Sequence, residues 1–151
     1  MRESIHQLKY RNLRTLALPL ARLLNNYLSG HPIPGEVLVP VPLHPKRLKE
    51  RGYNQSALLA SELGKLTNLP VIEDCLVRRQ NTSPQAKTAT VEERRNNVSE
   101  AFICRNDTLR GRQIILIDDV STSGATLNAC AQALKAAGAA SVWGLVMARE
   151  I

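Results

Sequence analysis

One run of thirteen residues restricts this chain more than any other: Ile114-Ile115-Leu116-Ile117-Asp118-Asp119-Val120-Ser121-Thr122-Ser123-Gly124-Ala125-Thr126. Four consecutive aliphatic residues with no polar alternation suit a strand covered on both faces. Two acids end that strand, here read as Gln113 to Ile117, and a turn rich in hydroxyls and glycine follows. From Thr126 to Ala137 the pattern becomes helical, with Gly138 placed to close the helix in a left-handed conformation. Strand, turn and helix in this order indicate an open α/β sheet, whose ligands bind outside the carboxyl ends of its strands. Backbone N–H groups of Ser123, Gly124, Ala125 and Thr126 at a helix N terminus suit a phosphate, with the Thr122, Ser123 and Thr126 hydroxyls as further donors. Gly124 allows a positive φ there. Asp118 and Asp119 cannot bind the same phosphate. They suit two sugar hydroxyls, or Mg²⁺ held through water. A phosphorylated ribose offers both features at the required separation. A strand ending in Asp-Asp also occurs in nucleotide-hydrolysing domains, but those need a GxxxxGK[ST] loop, and the chain has none.

The rest of the chain supplies partners for such a sheet. Ile5, Leu8, Leu13, Leu16, Leu20, Leu23, Leu24, Tyr27 and Leu28 recur at mostly helical spacing, so residues 1–35 form an N-terminal helical segment that Pro19 kinks or restarts. Val37-Leu38-Val39 reads as a strand running into Pro40-Val41-Pro42, and residues 54–66 as a helix with Leu59, Leu63 and Leu66 on one face. Leu76-Val77 and Ala101-Phe102-Ile103 are weaker strands, and Ser141 to Met147 is a final one. At 151 residues this is one domain, residues 1–151, of the α/β class, with a mostly parallel central sheet flanked by helices. Residues 79–98 break the alternation: they are polar, lack apolar periodicity, and read as a flexible loop with room for a short helix near Val91–Asn97.

Charge and composition narrow the partners. The net charge is +7, and residues 1–51 hold nine basic against three acidic residues. That excess suits nucleic acid, a membrane surface or a polyanionic small molecule. Aromatic residues make up 3%, too few for base-stacking platforms, so any nucleic-acid contact should be weak and driven by phosphate. Cys75, Cys104 and Cys130 form no CxxC pair, which argues for reduced, isolated thiols rather than a zinc ribbon or disulfide framework. The apolar stretch from Leu16 to Ala21 is too short for a secretory or membrane segment, so the expectation is a cytoplasmic protein without membrane contact.

The acid-and-turn segment closely resembles the ribosyl-phosphate motif of type I phosphoribosyltransferases. A second run, Val39-Pro-Val-Pro-Leu-His-Pro-Lys-Arg-Leu-Lys-Glu-Arg-Gly-Tyr-Asn-Gln55, is very similar to the signature of the ComF/GntX family. Ser83-Pro-Gln-Ala-Lys87, Glu93-Arg-Arg-Asn-Asn-Val98 and Ala101-Phe102 extend that likeness, which covers roughly residues 2–150. The resemblance implies a type I phosphoribosyltransferase fold that binds 5-phosphoribosyl-1-pyrophosphate with Mg²⁺ as cofactor. It implies displacement of pyrophosphate at ribose C1 and, for some members, a part in competence for DNA uptake. Asp118 and Asp119 would be catalytic, and Thr122 to Thr126 would hold the phosphate. Pro42, Leu43 and His44 would form the pyrophosphate loop, with Lys46, Arg47 and Arg51 following at once. Residues 79–98 would be the family's hood, through which Arg78, Arg79, Lys87, Arg94 and Arg95 close over substrate.

Three features depart from the family pattern. The four-cysteine ribbon usual at the N terminus has no counterpart here, and neither does the glutaminase domain of amidophosphoribosyltransferases. Ser121 and Ser123 stand where an apolar residue and Thr are usual. No acceptor motif can be read. A homodimer or a partner in the competence machinery is compatible with the family. The alternative is a non-catalytic module that keeps the ligand site as a sensor or serves DNA uptake through its basic third.

Overall fold

The computed structural model describes residues 14–79, 101–121 and 123–149. A 3-10 turn at Arg14–Leu16 leads into helix α1, Ala17–Gly30. Pro19 lies in the first turn of α1, where its missing N–H costs no helical bond, so the helix runs unkinked from there. Strand β1 (Val37–Pro40), helix α2 (Pro45–Arg51), helix α3 (Gln55–Thr67), β2 (Leu76–Arg78), β3 (Phe102–Cys104), β4 (Gln113–Ser121), α4 (Ala125–Ala136) and β5 (Ser141–Arg149) follow.

The main sheet has the order β1-β4-β5 and is wholly parallel. Val37 to Pro40 pair with Ile114 to Ile117, and Gln113 to Ser121 pair along Ser141 to Arg149. A single parallel bridge from Leu38 to Val71 extends the sheet beyond β1. Alternation along the strands sends residues to two cores. Leu38, Ile115, Ile117 and Leu145 meet Leu20 and Leu24 of α1 and Leu59 and Leu63 of α3. Val37, Val39, Ile114 and Leu116 meet Cys130 and Leu134 of α4, together with Leu76 and Phe102. Burial of both faces is what the unbroken Ile-Ile-Leu-Ile run requires.

Three sequence expectations need correction. β4 does not stop at Ile117. Its pairing with β5 continues through Asp118↔Val146 and Val120↔Ala148, so both acids lie within the strand rather than beyond it. β2 and β3 are not members of the central sheet. They pair antiparallel with each other, Leu76↔Cys104 to Arg78↔Phe102, and cover one side of it. The basic stretch after Pro42-Leu43-His44 is not an open loop but helix α2, which buries none of its own residues. The hood segment falls almost entirely outside the described residues, and so do Thr122, Lys87, Arg94 and Arg95.

Candidate functional site

β1 ends at Pro40 beside Ile117, one residue before the acids of β4, and leads through Val41-Pro42-Leu43-His44 into α2. At β4, Asp118 is 9% exposed and Asp119 is 2% exposed. Asp118 Oδ1 accepts from the Ser56 hydroxyl at 3.0 Å and from the Asp119 N–H at 2.9 Å. Asp119 Oδ1 accepts from the Val120 N–H at 2.7 Å. Burial, reinforced by the adjacent Asp119 carboxylate, pushes the Asp118 carboxyl up to about 7, while the bonds from Asp119 N–H and Ser56 pull the other way. The acid pair is therefore built in advance, but one member gives up its proton near neutrality.

The turn that follows has the shape read from its sequence. Gly124 has φ +81°, and a Cβ built on it would meet nothing within 4 Å. The glycine is thus required for its backbone conformation rather than for a close approach. Gly124 stands at the N-cap of α4 and brings no side chain to it. Ser123 is exposed, and its Oγ accepts from the Ala125 N–H at 3.3 Å. Ala125 is exposed and Thr126 half-buried in the first helical turn.

At β1, Pro42, Leu43 and His44 are half-buried. His44 caps α2: its Nδ1 accepts from the Lys46 N–H at 3.1 Å, so this ring nitrogen serves the helix rather than a ligand. Lys46 and Arg47 project into solvent. Arg51 turns inward and donates to Gln55 Oε1 at 2.6 Å. Asn54 then joins the two ends of the site. Its Nδ2 donates to the Val41 carbonyl at 3.0 Å, and its Oδ1 caps α3 by accepting from the Ser56 N–H. Because Ser56 also holds Asp118, one Asn-x-Ser segment braces the exit of β1 against the acids of β4. Sequence reasoning missed both residues. The signal available was an asparagine immediately before an apolar-periodic helix.

Arg78, expected to close over substrate with the hood, is half-buried and lines the cavity beside α2. Its guanidinium lies 5.4 Å from the Phe102 ring centroid. Burial and the nearby Arg47 charge both lower its affinity for the proton. Burial and the Asp118 charge push the Cys130 thiol up and the Arg78 charge pulls it down, so both charges act on this thiol. The three cysteines converge on this core as free thiols, and Cys104 is pushed up to about 12 by burial and by Cys75 beside it. Cys104 and Cys130, held this far toward the protonated form, are structural rather than nucleophilic.

Beyond the β1 exit a cavity of about 540 Å³ opens between α2 and the β2–β3 pair. Pro42 and Leu43 contribute to its wall, whereas Asp118, Asp119 and the Ser123–Thr126 turn do not. Among the described residues no group of three or more His, Cys, Asp or Glu side chains is placed to hold a metal ion. Among the same residues no helix is long and apolar enough to cross a membrane.

Known proteins agree with this arrangement. Competence protein F of Haemophilus influenzae is 33% identical over 156 residues, covering 95% of this chain and 66% of that protein. Competence protein ComFC of Bacillus subtilis is 40% identical over 116 residues, covering 76% of this chain and 45% of that protein. The chain therefore spans about half to two thirds of the length of these relatives. In three dimensions it superimposes on glutamine phosphoribosylpyrophosphate amidotransferase from Bacillus subtilis with a TM-score of 0.61 at 16% identity, over 89% of this chain and 26% of that one, a likeness of fold. The phosphoribosyl transferase domain matches residues 50–149, which take in α3, both antiparallel strands, the acids, the turn and β5. With that match and a parallel sheet flanked by helices, the chain belongs to the phosphoribosyl transferase domain family, and its likeness to ComF-type competence proteins is borne out.

Proposed function

We propose that this domain binds 5-phosphoribosyl-1-pyrophosphate together with Mg²⁺ and transfers the phosphoribosyl group to an acceptor. One observation carries the reading. A buried acid pair near the carboxyl end of the central parallel strand precedes a glycine turn with φ +81° at the N terminus of α4. The 5-phosphate would accept from the N–H groups of Ser123 to Thr126, and the ribose hydroxyls would donate to Asp118 and Asp119. Two carboxylates offer hard oxygen ligands that fit Mg²⁺ held through water. When bound, Mg²⁺ would neutralise charge on the pyrophosphate. Lys46 and Arg47 on α2 would add positive charge on the leaving-group side, where charge grows as the C1–O bond breaks. No side chain need attack C1: holding the ribose while positive charge builds on its ring is work for position and electrostatics. As a carboxylate Asp118 accepts through both oxygens, whereas its neutral form gives one oxygen to a proton, so accepting from the ribose hydroxyls would favour the ionised form and draw its proton off.

The names of the curated relatives support placing this activity in competence. The experiment is isothermal calorimetry with 5-phosphoribosyl-1-pyrophosphate and Mg²⁺, followed by assay of pyrophosphate release with candidate acceptors. Binding with release supports a transferase. Binding without release for every acceptor tried supports the sensor module instead, and failure to bind would overturn both.

A further inference from the structure

The cavity beside α2 has an unusual make-up for a pyrophosphate pocket. Most of its wall is apolar, including Pro40, Pro42, Leu43, Leu48, Val77 and Ile103. A hydrated polyanion with its metal ion gains little from such walls, whereas an organic molecule gains from every face it buries. The charged groups in the lining are Arg78, Arg79, Arg105 and a single acid, Glu73.

Strand pairing fixes where two of those arginines stand. Val77 lies opposite Ile103, and one residue pair beyond each end of the ladder the backbone bonds continue: Arg79 N–H to Ala101 O at 2.6 Å, and Arg105 N–H to Cys75 O at 2.9 Å. Opposite residues of an antiparallel pair share a face, and so do residues two apart on a strand. Val77, Ile103, Arg79 and Arg105 thus share one face, an aliphatic centre with an arginine at each end. The two arginine levels are four residues apart, about 13 Å at the rise of an extended chain. Both side chains are exposed, and neither makes an ion pair among the described residues. Their backbones are tied, and among the described residues their charges have no acidic partner, so an anion in the cavity could pair with either.

We propose that this cavity is the acceptor pocket, and that it selects an acceptor with an apolar body bearing an acid group that pairs with Arg105 or Arg79. The inference rests on the transferase reading above and adds the chemical class of its second substrate. A neutral base of the same shape would leave the arginines facing an apolar surface and gain no charge-assisted bond.

Benzoate and benzamide, equal in shape and different in charge, are the probes, titrated by NMR with and without 5-phosphoribosyl-1-pyrophosphate and Mg²⁺. Wild type should favour benzoate by about fivefold or more, the worth of about 1 kcal/mol from a partly exposed charge pair. Arg105→Gln and Arg79→Gln should each reduce that preference, and the double variant should erase it. Arg105→Gln should leave 5-phosphoribosyl-1-pyrophosphate binding within about twofold, a shift of less than 0.5 kcal/mol. Both sites are exposed and keep their backbone bonds, so the variants should fold, which thermal melts check. Equal affinity for benzoate and benzamide in a wild type that binds 5-phosphoribosyl-1-pyrophosphate overturns the proposal and leaves the transferase reading intact. Loss of 5-phosphoribosyl-1-pyrophosphate binding in Arg105→Gln also overturns it, by returning the cavity to the pyrophosphate. A wild type that binds no 5-phosphoribosyl-1-pyrophosphate removes the reading on which the proposal stands.

Discussion

The two strand ends of this site are built on opposite plans. At β4 the polar groups are buried and already bonded: Asp118 and Asp119 sit inside the sheet, and Ser56 and two backbone N–H groups hold them. At β1 the charged groups stand in water, since Lys46 and Arg47 lie on a helix that buries none of its residues. A buried carboxylate costs stability whenever it is ionised, but needs no rearrangement to accept a further hydrogen bond. An exposed cation costs nothing in the free protein, but must be ordered by its ligand. The fold thus prepares its acceptors of hydrogen bonds in advance and leaves its positive charge to be gathered on binding.

The largest effects should come from breaking the prepared side. Asp118→Asn with Asp119→Asn should lower affinity for 5-phosphoribosyl-1-pyrophosphate at least about tenfold, because each removes a charge-assisted bond of roughly 1.5–3 kcal/mol. Calorimetry on the folded variant measures this, and unchanged affinity would move the ribose away from these acids. The contrast sharpens with Asp118→Asn alone. Asparagine can still accept from Ser56 and from the Asp119 N–H, while the buried charge disappears. Above pH 7 the single variant should therefore melt higher than wild type, by roughly 1–2 kcal/mol in stability, even as it binds less. A variant that loses stability and binding together would show that the charge is paired in the free protein more fully than its surroundings indicate.

Next comes the brace between the two ends. Ser56→Ala deletes the hydroxyl that reaches Asp118 and should destabilise the protein by about 1–2 kcal/mol, as a buried donor bonded to a carboxyl is lost. It should also raise the Asp118 carboxyl further, since that bond favours the ionised form. Chemical denaturation and NMR titration of Asp118 check the two parts. None of this is legible in the sequence. The apolar run foretold β4, and the glycine foretold the left-handed turn, because each is a local property. That Ser56 meets Asp118, 62 residues away, follows only from packing α3 against the sheet. The same limit hid α2, whose Pro-Lys-Arg-Leu-Lys-Glu-Arg sequence shows no apolar face and is helical through its His44 cap and Pro45 start. It also hid the convergence of three cysteines that lie far apart along the chain.

A smaller effect should appear with pH. The Asp118 carboxyl is raised to about 7 from its usual value of 3.8. A raised acid favours folding in its protonated form, so its contribution to stability is full below the unfolded value and is lost as pH rises through the folded one. The ligand-free protein should lose stability between those two values, and Asp118→Asn should flatten that slope. Ligand affinity should run the other way, rising several-fold between about pH 6 and 8 as the carboxylate ionises. Proton release on binding, measured by calorimetry in buffers of different ionisation enthalpy, would confirm the linkage, and a pH-independent affinity would separate Asp118 from the ligand.

The smallest effect on the free protein should come from the exposed side. Lys46, Arg47 and Lys49 are all exposed, and the helix that carries them is held by its cap and by the Leu48–Gly52 turn rather than by their charges. Changing the three to Ala should leave stability within about 0.5 kcal/mol, as for surface substitutions generally. Binding should respond where stability does not. Removing positive charge should weaken 5-phosphoribosyl-1-pyrophosphate binding and flatten its salt dependence, because exposed charges act through a screened field. Single-stranded DNA offers a second reading of the same cations. Any binding there should be weak and fall steeply between roughly 50 and 200 mM salt, because each neutralised phosphate releases counterions. If the triple variant loses DNA binding yet keeps its affinity for the sugar pyrophosphate, α2 faces nucleic acid, and the difference between the two strand ends becomes one between two ligands. If it loses the sugar pyrophosphate at unchanged stability, both ends serve one ligand, the buried end having met its cost in folding and the exposed end meeting it on binding.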